Sequence, residues 1–64
     1  MNKEYYIIQG KPDGRLLSID GDSYAWSVSL FAASKFKTKR LAGQYILDNH
    51  INSRTVRISK ITAA

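Results

Sequence analysis

Glu4 to Gln9 (EYYIIQ) sets aromatic and β-branched residues side by side, the composition of a strand. Its apolar run, Tyr5 to Ile8, is continuous rather than alternating. Successive strand side chains point to opposite faces, so this run predicts a strand buried on both faces or central in a sheet. Gly10-Lys11-Pro12-Asp13-Gly14 reads as a turn, in which Pro presets φ, Asp bonds its own backbone and Gly supplies a positive φ. Arg15 to Ile19 (RLLSI) then pairs back as a second strand, with Leu17 and Ile19 on one face. Asp20-Gly21-Asp22-Ser23 is a second turn, and Tyr24 to Val28 (YAWSV) returns as a third strand.

Ser29 to Ser34 (SLFAAS) is too short an apolar run for periodicity to separate strand from helix; Ser29 is a candidate cap for one helical turn carrying Leu30 and Ala33. Lys35-Phe36-Lys37 alternates charge, ring and charge, as a half-buried extended segment does, and points Phe36 inward. Thr38 is a good N-cap for a helix over Lys39 to Asn49. There Leu41, Ala42, Tyr45 and Ile46 form one apolar stripe. Gly43 inside the helix suggests close approach to a strand, and Asn49 or Asn52 is the candidate left-handed cap at its end. Thr55 to Ile61 (TVRISKI) is the last strand, with Val56 and Ile58 on one face and Arg57 and Ser59 on the other; Thr62 to Ala64 are expected to fray. The expected fold is α+β: a single domain over 1–64, two-layered, with an antiparallel or mixed sheet of three to four strands and one helix packed on it, in the order β-β-β-α-β.

Size sharpens this picture. A chain of 64 residues buries only about 60% of the surface its unfolded form exposes. It has no cysteine and one histidine, which excludes a disulfide scaffold, a thiolate metal site, a Cys nucleophile and a His-based metal centre. Stability must come from a well-packed core or from a partner chain, and a homodimer paired through edge strands is compatible with that. The longest apolar stretches, Tyr5 to Ile8 and Leu30 to Ala33, fall far short of the ~20 residues a spanning helix needs. A cytoplasmic protein without a membrane partner is expected.

Charge changes the picture most. The formal net charge is +5, unevenly spread. Residues 1–32 hold Lys3, Lys11 and Arg15 against Glu4, Asp13, Asp20 and Asp22, a net of −1; residues 33–64 hold Lys35, Lys37, Lys39, Arg40, Arg54, Arg57 and Lys60 against Asp48, a net of +6. Such asymmetry attracts polyanions. The helix itself is charged against its dipole, with Lys39 and Arg40 at its start and Asp48 near its end. Each misplaced charge costs roughly 0.3–1 kcal/mol at low salt, and an anion bound at the helix start reverses the sign. Lys35, Lys37, Lys39 and Arg40 form one cationic cluster, and Arg54, Arg57 and Lys60 a second basic row on the last strand. These seven are the candidate nucleic-acid-binding residues. No RRM, KH or OB signature accompanies them, so the signal is electrostatic and carries no sequence specificity.

Other chemistry finds little footing. There is no Gly-X-Ser-X-Gly elbow and no phosphate-binding glycine loop, and Asp48 and His50 lie two positions apart on different helix faces. His50 reads as an exposed or cap-proximal residue at the helix end. Asp20 and Asp22 lack the further ligands of a calcium loop. A non-enzymatic binding module without a cofactor is expected. Its partner is nucleic acid or an acidic protein surface; the alternative function is a protein–protein interaction module or inhibitor that occludes a host protein, with Tyr5, Tyr6, Tyr24 and Trp26 as candidate anchors where exposed.

The spacing Trp26-X3-Leu30-X2-Ala33-X2-Phe36-X-Thr38-X3-Ala42 resembles that of small orphan proteins encoded by bacteriophages and prophages. Those proteins run as a hairpin, a Trp-bearing strand, an Ala-X-X-Phe-X-Thr segment opening a helix, and a last strand. The resemblance spans Tyr5 to Ile61 and implies an accessory role such as binding a host macromolecule. Its shared positions are packing positions, so it transfers no functional residue. An acidic residue often precedes the helical Ala in such proteins, whereas Lys39, Arg40 and Leu41 stand there in this chain.

Overall fold

Ile7 and Ile8 are both buried, at 4% and 0% exposure, and as neighbours in a strand they face opposite ways. The strand carrying them therefore needs cover on two sides. The computed structural model describes residues 3–11 and 13–63. It contains β1 (Lys3–Gly10), β2 (Leu16–Asp20), β3 (Ser23–Ser27), α1 (Lys39–Asp48) and β4 (Val56–Ala63). The four strands form one antiparallel sheet in the order β3-β2-β1-β4. This is the α+β fold and the β-β-β-α-β order expected, with the double-sided first strand in the interior of the sheet.

Each turn has a local cause. In the first hairpin Gly14 takes φ +73°, Asp13 Oδ1 accepts from Arg15 N–H at 3.1 Å, and Gly14 O accepts from the Gln9 side-chain amide. Pro12, part of that expected turn, lies outside the described residues. The second hairpin closes Asp20 on Ser23 through Gly21 and Asp22. Gly21 takes φ +61° and Asp22 a negative φ, the pattern of a type II′ turn.

The helix-side core gathers Ile8, Leu17, Ala42, Ile46 and Val56, with Tyr6, Tyr24, Phe36, Tyr45, Ile51 and Ile58 around them. The opposite face has a smaller cluster of Ile7, Leu16 and Ala33, with Ile61 against it. The strands β1 and β2 share only the Gln9–Leu16 pair and then diverge. Into that fork runs the chain from Ala33 to Phe36. Ser34 N–H donates to Leu17 O at 3.0 Å, Ser34 Oγ accepts from Ile19 N–H at 2.7 Å, and Phe36 exchanges two 2.8 Å backbone bonds with Tyr6. Ala33 thus lies under the sheet while the Phe36 ring lies in the helix-side core. Phe36 is inward, as its alternation with lysines implied.

The helix begins where expected: Thr38 Oγ1 accepts from Leu41 N–H at 3.1 Å. It ends one residue early, at Asp48, and the left-handed residue is His50 (φ 56°) rather than Asn49, which has φ −103°, or Asn52. His50 N–H donates to Leu47 O and Ile51 N–H to Ile46 O, a Schellman closure that places Ile51 in the core beside Ile46. Three further expectations need correction. Leu41 is half exposed, because α1 packs over β1 and β4 and leaves the β2–β3 half of that face open, with Ile19 and Trp26 exposed along it. A Cβ on Gly43 would meet only Ile58 Cδ1, at 4.0 Å, so no close approach requires glycine there. At the chain's end, Thr62 and Ala63 pair with Glu4 and Lys3 instead of fraying, and Ala64 lies outside the described residues.

Candidate nucleic-acid interface

Segment 35–40 is placed by two anchors, the Phe36–Tyr6 bridge and the Thr38 cap. Between and beyond them Lys35, Lys37, Lys39 and Arg40 are all exposed. The first turn of α1 holds no acidic residue and its last turn no basic one, so the dipole is opposed at both ends. The ion pairs among the described residues are Arg15–Asp13 at 3.2 Å and Lys60–Glu4 at 3.5 Å, and neither involves this segment. Lys35 differs from its neighbours. Its Nζ donates to Leu30 O at 3.3 Å and Ala33 O at 3.2 Å, clasping the preceding loop.

The second basic group is not one row. Arg54 lies in the turn before β4, Arg57 pairs with Gln9 on the face away from the helix, and Lys60 pairs with Tyr6 on the helix side. Lys60 lies near the helix start, at the level of Tyr6 and Phe36, and is partly neutralised by Glu4. Arg54 and Arg57 belong to the other end of the sheet, where Gly10 faces Val56. The acidic β2–β3 turn reaches the same end as the helix start. The Ile19–Ser34 bond sets Asp20 and Lys35, each the next residue along, on either side of it. The end that carries the cationic cluster therefore has mixed sign.

Periodicity does not resolve the loop between β3 and segment 35–40, and in the structure residues 30–32 form a single hydrogen-bonded turn. Ala33 N–H donates to Leu30 O at 3.3 Å, and the Ser29 N–H is taken by Ser27 Oγ. Only Ala33 of this stretch is buried, while Val28 is 84% and Phe31 99% exposed.

An open cleft of about 280 Å³ lies at the far end of the sheet, lined by Gly10, Asp13, Arg15, Trp26, Thr55 and Val56. Its two charged groups pair with each other and lock the first turn. Over the helix-side core, Tyr45 packs against Phe36 and Tyr24, at ring separations of 5.8 and 6.3 Å. Burial raises its hydroxyl above the usual tyrosine value, with Tyr24 adding to the shift. No helix among the described residues is long and apolar enough to cross a membrane. Comparison with known proteins finds no matching family model, no matching curated protein and no matching solved structure.

Proposed function

We propose that this chain is a non-enzymatic binding module whose partner is nucleic acid, held through the phosphates by Lys35, Lys37, Lys39 and Arg40. One observation carries the reading: Lys37, Lys39 and Arg40 are exposed, outside the ion pairs of the described residues, and open a helix that has no acidic residue in its first turn. The helix keeps that arrangement at a cost of roughly 0.3–1 kcal/mol per charge, which a bound phosphate removes. Arg54 and Arg57 lie at the other end of the sheet and Lys60, near the helix start, is paired with Glu4, so these three add only to the long-range field. The resemblance to small phage and prophage proteins fits an accessory role of this kind, in the service of a mobile element.

The test is a titration of single-stranded and duplex oligonucleotides at several salt concentrations. Four phosphate contacts give a log–log salt slope of about −3 to −4. Arg40→Glu weakens binding and flattens that slope while raising helix stability by roughly 0.3–1 kcal/mol, because a carboxylate suits a helix start. Undetectable affinity at low salt ends the proposal.

A further inference from the structure

Single exposed apolar side chains are ordinary on protein surfaces. Phe31 is different in three respects. It is 99% exposed, so it contributes nothing to the core. The loop that carries it is pinned at several points: Ser29 N–H on Ser27 Oγ, Ala33 N–H on Leu30 O, Ser34 N–H on Leu17 O, and the Lys35 ammonium on two carbonyls. That ammonium lies 3.3 Å from Leu30 O, one residue from the ring. A lysine has three N–H donors, and here two are committed to carbonyls, leaving one for a ligand of the loop.

We infer that the Val28–Ala32 loop presents Phe31 as a stacking platform for an unpaired base, which makes the ligand of the basic segment a single strand rather than a duplex. The inference rests on the phosphate-binding reading above and names its substrate class. An exposed ring on a hydrogen-bonded loop that leads into a cationic segment is the combination that single-strand binders use, since every base offers a π-face and every nucleotide a phosphate. The mixed charge of this end points the same way. The Ile19–Ser34 bond brings the turn that carries Asp20 and Asp22 to the end of the sheet where segment 35–40 lies. A rigid duplex or a flat anionic bilayer that covered the lysines would also meet those carboxylates. A flexible strand can bend away from them while it reaches both Phe31 and the cationic segment.

The experiment compares a single-stranded oligonucleotide, its duplex and vesicles of anionic phospholipid, each with the parent chain, Phe31→Ala and Phe31→Tyr. The parent should prefer the single strand. Phe31→Ala should weaken single-strand binding by about 5- to 150-fold, the loss of one base stack, with the salt slope and the duplex affinity unchanged. Phe31→Tyr keeps the ring and should restore the preference, which separates stacking from any effect on folding. Equal binding of both nucleic acids, unaltered in Phe31→Ala, overturns the stacking inference and leaves the phosphate reading standing. Vesicle binding that depends on Phe31 also overturns it, as does loss of duplex and single-strand affinity together in Phe31→Ala. If neither nucleic acid binds the parent at low salt, the underlying reading fails first.

Discussion

At φ 56° His50 occupies a region where an ordinary side chain crowds its own backbone, at a cost of about 1–2 kcal/mol. Asparagine tolerates that region better, and Asn49 and Asn52 stand on either side. The hydrophobic contact decides otherwise. Ile51 must reach the core beside Ile46, and the Schellman closure that brings it there puts residue 50, not 49 or 52, in the left-handed position. His50→Gly should therefore raise stability by up to about 1 kcal/mol in urea unfolding. Destabilisation by that change would mean that the exposed imidazole holds the cap in some way the backbone does not require. Local preference named the helix end correctly to within a residue; only the tertiary contact says which residue bears the strain.

A similar division holds for the elements. Continuous or alternating apolar positions located every strand, and a single hydroxyl, Thr38, marked the helix start. What the pattern could not show is how far the helix reaches across the sheet. An apolar stripe over Leu41, Ala42, Tyr45 and Ile46 looks the same whether the helix lies over the middle or over one half. It lies over β1 and β4, so Ala42 and Ile46 are buried and Leu41 is half exposed. The same placement leaves room at Gly43, where an alanine methyl would rest against Ile58 Cδ1 at an ordinary distance. Gly43→Ala should stabilise the fold by about 0.5–1 kcal/mol, read as a rise in Tm. A fall in Tm would show that the helix sits closer to β4 than 4.0 Å implies.

For the whole molecule, the charges were legible as a list and illegible as a surface. Segment 35–40 stays together because it is contiguous in sequence. Arg57 and Lys60 are separated by the strand's pleat, and Asp20 is carried to the cationic end by a bond between residues 15 positions apart. The exposed loop was hidden for a related reason: nothing within residues 28–33 says that Ala33 is drawn under the sheet while Phe31 is left outside, since that is set by the fork between β1 and β2. The pairing of β1 with β4 has a further consequence, for the order of events in synthesis. Ser59 and Gln9 meet across 50 positions, so β1 leaves the ribosome well before its main neighbour β4 is made. Until then Ile7 and Ile8 are held on one side by a single hairpin pair and the Phe36 bridge, and a chain ending at Thr55 should show no cooperative unfolding transition by circular dichroism. A sharp transition in that shortened chain would contradict this order. The nascent polypeptide must keep Tyr5 to Ile8 from sticking elsewhere until β4 emerges, and Lys3 and Glu4, flanking that run, are the charges that shield it.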